Sequence, residues 1–139
     1  MLVVRPGQVE DASAVLDLWA LARSEHATTQ DRASDLERLI TETPSALFVA
    51  ENGEGVLVGV LIAGWDGWRG NMYRLAVHPD HRRQGIARML LDAGEAHLRG
   101  LGGRRVTALV AHDDAVAAGF WDAAGYPVDP DIGRRVRNL

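Results

Sequence analysis

Apolar positions along this chain fall into two patterns, stretches at helical spacing and short β-rich runs. Residues 2–5, LVVR, form a short apolar run closed by Pro6 and Gly7, which predicts a strand followed by a turn. In EDASAVLDLWALA the residues Ala14, Val15, Leu18, Trp19 and Ala22 recur at helical spacing behind an acidic first turn that suits the helix dipole. RSEHATTQ is polar and reads as a loop. DRASDLERLITE then presents Leu36, Leu39 and Ile40 on one side and stops before Pro44. Trp19, Leu36 and Leu39 are candidate core residues. The chain next becomes β-rich. ALFVAE and GVLVGVLIAGW are split by the hairpin signal NGEG, and WDGWRG makes a second turn into NMYRLAVH. Three strands on short turns predict an antiparallel meander.

From Gly85 the spacing is helical again, with Ile86, Met89, Leu90, Ala93, His97 and Leu98 along one face and an end around residues 100–103. RVTALV predicts a strand and DAVAAGFWDAAG a helix, while YPVD and GRRVRNL are candidates for closing strands. The order is β-α-α-β-β-β-α-β-α-β, with room for one more strand. That is neither strict βα alternation nor a helix bundle. It predicts an α/β (α+β) fold with a mixed, mostly antiparallel central sheet and helices on both faces.

Length and composition narrow the function classes. With 139 residues and no linker, repeat or low-complexity tract, a single domain over 1–139 is expected. No cysteine is present, which excludes disulfides, thiolate zinc sites and a cysteine nucleophile. The net charge is −4. All 15 basic residues are arginine, and the pairs Arg82–Arg83, Arg104–Arg105 and Arg134–Arg135 form no continuous stripe. Nucleic-acid binding is therefore not expected. MLVVRPG lacks the character of a secretory leader, and no apolar run approaches the ~18 residues of a membrane span. A cytoplasmic protein without a membrane partner is the expectation.

The stretch HPDHRRQGIARMLL places Arg82, Arg83, Gln84 and Gly85 where a helix is about to begin. A helix start carries amides with no intrahelical acceptor and the positive end of the dipole. Gly85 lets a ligand approach the backbone with no Cβ in the way. A diphosphate suits such a turn, with Arg82 or Arg83 adding charge. A Walker loop is excluded because it needs lysine, and a dinucleotide fingerprint because it needs more than one glycine.

The segment from Arg82 to Ala87 resembles the Arg/Gln-x-x-Gly-x-Gly/Ala signature of the GCN5-related N-acetyltransferases, and LAVHPDH before it resembles that family's fourth strand. DDAVAAGFWDAAGY is similar to the family's last helix, with Asp114, Ala117, Phe120, Trp121, Gly125 and Tyr126 in register. GWDGWRG resembles a hairpin found in small bacterial members. The resemblance implies an acetyl-coenzyme A-dependent N-acetyltransferase acting on an amine, without a metal. It implies a bulged fourth strand whose backbone at Leu75, Ala76 and Val77 pairs with the pantetheine arm. It further implies that the diphosphate lies on the amides of residues 83–87, and that Arg82, Arg83, Gln84, Gly85, Ile86, Ala87, Arg88, Asp114 and Trp121 belong to the cofactor site. An oxyanion would be met by a backbone amide near Val77, and a homodimer is the assembly many relatives adopt.

The acid and base are less well marked. Trp121 stands where the family carries its tyrosine acid, and an indole does not titrate. Leu109 occupies a place where some relatives have a catalytic glutamate. Tyr73, with Asn71 nearby, is the first candidate to line the site, and an aromatic filling the sheet face explains it equally well. His112 has a suitable intrinsic pKa but also reads as a loop residue. Asp66 reads as a turn residue that could hold a cationic amine beside Trp65 or Trp68. Glu25, His26 and Asp31 lie in the loop where the resemblance puts part of the acceptor site. His78 and His81 have no third ligand at a recognisable spacing, so a metal site is not expected. The competing function is an acyl-coenzyme A-binding module that has lost catalysis.

Overall fold

In a computed structural model, residues 1–22 and 30–139 are described. They fall into two compact units, Met1–Leu109 and Val110–Leu139. The first holds a five-stranded sheet in chain order: β1 (Val3–Pro6), β2 (Leu47–Glu51), β3 (Leu57–Trp65), β4 (Gly70–Val77) and β5 (Val106–Ala108). All pairings are antiparallel except β4 with β5. Helices α1 (Ala12–Leu21) and α2 (Ala33–Glu42) follow β1, and α3 (Ile86–Gly100) connects β4 to β5.

Alternation along the strands decides which helix each side chain meets. Leu47, Val49, Val60 and Ile62 join Val15, Leu18 and Trp19 of α1 and Leu36 of α2 in one buried cluster. The intervening positions face α3: Phe48 meets the ring of His97 edge-on at 5.8 Å, and a side chain at Gly59 would run into Ile86 and Leu90. Met89, expected on the apolar face of α3, is instead 36% exposed, and Leu91 is buried. The helix is turned slightly from the face that spacing suggested.

The entry to α1 is tied electrostatically. Arg5 grips Asp11 with two nitrogens at 2.7 and 2.9 Å, and the Asp11 carboxylate also accepts the Gln8 amide at 2.8 Å. Arg5, more than any other neighbour, holds the Asp11 carboxyl below the usual carboxylate range. A depressed carboxylate adds stability above its unfolded pKa and loses it as the pH falls through its folded value. Asp11→Asn should therefore lower the unfolding free energy by about 1–3 kcal/mol at pH 7. The gap to wild type should close as the pH drops below the ordinary carboxylate range of about 3.9. Paired urea titrations across pH check this, and a gap independent of pH would contradict it.

The second unit holds α4 (Ala115–Ala123). Asp114 caps its start by accepting the Ala117 amide at 3.0 Å. The Tyr126 amide closes its end on the Trp121 carbonyl at 2.8 Å. The closing strands expected from YPVD and GRRVRNL do not form: no strand follows α4 among the described residues. Pro127 and Pro130 remove ladder donors, and Val128, Ile132 and Val136 remain exposed singly among charges, with no apolar face to bury.

Candidate active site

Two backbone irregularities bracket the end of β4. The first is the turn into α3. Arg83 (φ 62°) and Gly85 (φ 78°) both take the left-handed conformation. The first hydrogen bond of α3 runs from the Met89 amide to the Gly85 carbonyl at 3.0 Å, so the amides of Ile86, Ala87 and Arg88 lie ahead of it. Left-handed residues interleaved with free amides form a concave anion nest, which the helix dipole strengthens. Arg82, Arg83 and Gln84 are exposed around it, and a Cβ built on Gly85 would meet nothing within 4 Å. The turn is an open cradle. Arg88 reaches along α3 to Asp92 at 3.1 Å.

The second irregularity is a bulge. Tyr73 pairs with Ile62 and Ala76 with Val60, so Arg74 and Leu75 together oppose Leu61. The extra residue reverses the facing of everything after it. Met72 and Ala76 would otherwise share a face, yet Ala76 joins the α1 cluster. Arg74 carries the bulge at φ 58°. That conformation costs a non-glycine residue about 1–2 kcal/mol. Its neighbours offset the cost. The Trp19 indole N–H donates to the Arg74 carbonyl at 3.0 Å, and the Arg74 guanidinium lies 4.5 Å from the centre of the same indole. Asp31 pairs with the same guanidinium.

On its far edge β4 pairs with β5 only over Gly70, Asn71 and Met72. Beyond Met72 the two strands part, and a cleft of about 350 Å³ opens, lined by Asn71, Met72, Tyr73, Thr107 and Leu109. A second cleft of about 210 Å³ lies on the α2 side, where Leu39 and Thr43 face Trp65, Asp66, Asn71 and Tyr73. Asn71 and Tyr73 line both. The Thr107 hydroxyl donates to the Asn71 amide oxygen at 2.8 Å, which fixes that amide between the clefts.

Burial pushes the Tyr73 phenol up from its ordinary value, so it keeps its proton at neutral pH and acts as a hydrogen-bond donor. The Asp66 carboxylate accepts the amides of Arg69 at 2.6 Å and Trp68 at 2.8 Å, which hold its carboxyl below the usual range. It is a turn cap that stays anionic, and it shares the second cleft with Tyr73. His112 lies in the second unit, exposed on the turn before α4. In the same unit Trp121 meets Phe120 and Tyr126 edge-on at 5.3 and 4.9 Å. His78 spends its Nδ1 on the Asp80 amide at 3.1 Å. Glu25 and His26 lie outside the described residues, whereas Asp31 is the partner of Arg74.

A family model described as Acetyltransferase (GNAT) family matches residues 12–126. The chain belongs to the GNAT acetyltransferases. An acetyltransferase of Yersinia pestis (strain Pestoides F) is 32% identical over 139 residues, covering 96% of this chain and 94% of its own. One from Pectobacterium atrosepticum is 35% identical over 127 residues, with 88% and 86% covered. Among solved structures, the PaiA N-acetyltransferase of Thermoplasma acidophilum in complex with coenzyme A shares the GNAT fold at a TM-score of 0.82 and 15% identity, covering 93% of this chain and 91% of that one. The expected fold is therefore the observed one, and the membership makes this chain an acyltransferase.

Three features of this GNAT site were not foreseen. Trp19 was assigned to the core by its helical spacing; it is buried, and its N–H is also the hydrogen-bond partner of the bulge. Arg74 and Asp31 complete that contact. Gly64 makes room for Tyr73, since a Cβ there would lie 3.1 Å from the phenol oxygen. Only Trp19 left a trace in the sequence, because a buried indole N–H needs an acceptor.

Proposed function

We propose that this acyltransferase moves an acetyl group from acetyl-coenzyme A to a primary amine by direct transfer in a ternary complex. One observation carries the reading: a left-handed amide cradle at residues 83–88 follows a bulged β4 whose residues Asn71 and Tyr73 line two clefts at once. The diphosphate lies on the cradle, with Arg82 and Arg83 at its rim. The pantetheine arm runs along the unpaired edge at Leu75, Ala76 and Val77, much as an added strand would. The acceptor takes the α2-side cleft, with the Asp66 carboxylate holding its positive charge.

The step is attack of the neutral amine on the thioester carbonyl carbon. A C–N bond forms, the C–S bond breaks, the attacking nitrogen gives up one proton to water, and coenzyme A leaves as a thiolate that takes a proton from solvent, so that an amide and a free thiol result. The amide near Val77 meets the developing oxyanion. With a thiol pKa near ~8.5 the leaving group tolerates Trp121 in place of a tyrosine acid.

Neither carboxylate nor phenol in the clefts is a base at neutral pH, because Asp66 is held low and Tyr73 is pushed high. Water between Asn71, Thr107 and Tyr73 therefore carries off the ammonium proton, or the amine arrives neutral. Accordingly, kcat/KM for an alkylamine should climb about tenfold per pH unit towards the amine pKa of ~10.4. Thiol release across an amine panel measures it. A plateau near neutrality that vanishes in His112→Ala would assign the base to His112 and contradict this account. Acetyl-coenzyme A binding with no thiol release for any amine would identify a binding module instead, the alternative that Trp121 favours.

A further inference from the structure

We propose that Trp19 and Arg74 are positioning residues, forming with Asp31 a lock that fixes where β4 bulges and so which amides face the donor cleft. The functional consequence rests on the acyltransferase reading, but the lock can be tested without any ligand.

Bulges have an inherent weakness. An extra residue in one strand can be carried at more than one position, and moving it by one reverses which side each intervening group faces. Nothing in the residues of β4 pins it. Glycine, the residue that takes a left-handed backbone freely, is absent between Asn71 and Val77, and Arg74 is among the less suited types for φ 58°. The pinning comes from outside the strand. Trp19 on α1 holds the Arg74 carbonyl through its indole N–H at 3.0 Å and supports the guanidinium on its ring face at 4.5 Å. Asp31, just ahead of α2, takes the same guanidinium in an ion pair. A carbonyl and a side chain of one residue are thus held by two elements beyond the sheet. Any shift of the bulge to Tyr73 or Leu75 would break all three contacts together.

Three contacts on one strained residue suit a part that must not move. Residues 75–77 follow it directly, and their edge away from β3, which β5 leaves unpaired, leads towards the Gly85 turn. With the lock broken, the competent arrangement becomes one of several, and apparent affinity falls by the fraction still competent.

The test uses Trp19→Phe, which keeps an aromatic ring in the core and removes the N–H. Acetyl-coenzyme A affinity by calorimetry should fall about three- to tenfold, the factor one net hydrogen bond is worth. The dissociation constant of Arg74→Met should shift in the same direction. In ligand-free Trp19→Phe, amide exchange should quicken at residues 75–77 while the amides of β2 and the middle of α3 keep wild-type protection. The decisive arm is Arg74→Gly placed in the Trp19→Phe background. Glycine takes φ 58° without penalty, so it should restore most of the affinity and the protection with no side chain at all. Wild-type affinity in Trp19→Phe, exchange quickened uniformly through the sheet, or no recovery with glycine would each overturn the lock and reduce Trp19 to core filling. If the wild type itself ignored acetyl-coenzyme A, the exchange pattern and its rescue would still decide the lock, and only the proposed donor would fall.

Discussion

Gly85→Glu should lower the affinity for acetyl-coenzyme A by at least about 100-fold while leaving a folded protein. Two separate penalties lead there. A non-glycine residue at φ 78° carries a backbone cost of about 1–2 kcal/mol, roughly tenfold in an equilibrium. The new carboxylate then projects into a cradle of free amides and Arg82 and Arg83, where it competes with a diphosphate and repels it. The substitution causes no steric clash at the Cβ, which meets nothing within 4 Å. Gly85→Asn separates the two penalties. Asparagine tolerates the left-handed region better than other side chains and brings no charge, so its loss should stay within about tenfold. Calorimetric titration with acetyl-coenzyme A, beside circular dichroism for the fold, measures both. Equal affinities for Glu and wild type would remove the turn from the donor site.

Tyr73→Phe should lower kcat about 10- to 100-fold with KM for acetyl-coenzyme A within about twofold, the range expected when a placed donor rather than a binding contact is lost. The phenol stays protonated because burial raises its pKa, so the part proposed for it is to donate a hydrogen bond to water or the amine at the junction of the two clefts. Gly64→Ala offers an independent route to the same phenotype. Its Cβ would sit 3.1 Å from both the phenol oxygen and a ring carbon, so the ring must give by about a few tenths of an ångström with its hydroxyl intact. Steady-state thiol release for both variants checks this. Undiminished kcat in Tyr73→Phe would leave the residue as an aromatic filler.

The element order was legible because the periodicities are strong and the turns carry their own chemistry. GVLVGVLIAGW is a continuous apolar, β-branched run and becomes β3, buried on both faces, and Asp66-Gly67 announces the turn that the Asp66 carboxylate in fact caps. The cradle at residue 85 could be found for the same reason: glycine at a helix start marks a backbone that other residues avoid. The bulge was different. The family resemblance implied it, but no residue signals that Arg74 bears it, because what holds Arg74 comes from Trp19, 55 residues away in the chain. The brevity of β5 follows from the same feature. RVTALV reads as a six-residue strand, yet pairing stops at Ala108, as β4 turns away after Met72. The closing strands were misread because isolated valines between arginines and prolines satisfy a local pattern without any edge to join.

The reversed facing after Arg74 also sets a rule for how this sequence can change length. A one-residue deletion at 74 or 75 would leave a regular strand in which Ala76 still opposes Val60 on the α1 side, yet it would abolish the bulge and with it the outward-turned backbone that leads to the glycine turn. The hairpin tip around residues 52–56 has no such constraint, since nothing downstream depends on its parity. Insertions and deletions among homologous chains should therefore gather at that tip and spare the short segment between Tyr73 and Gly85.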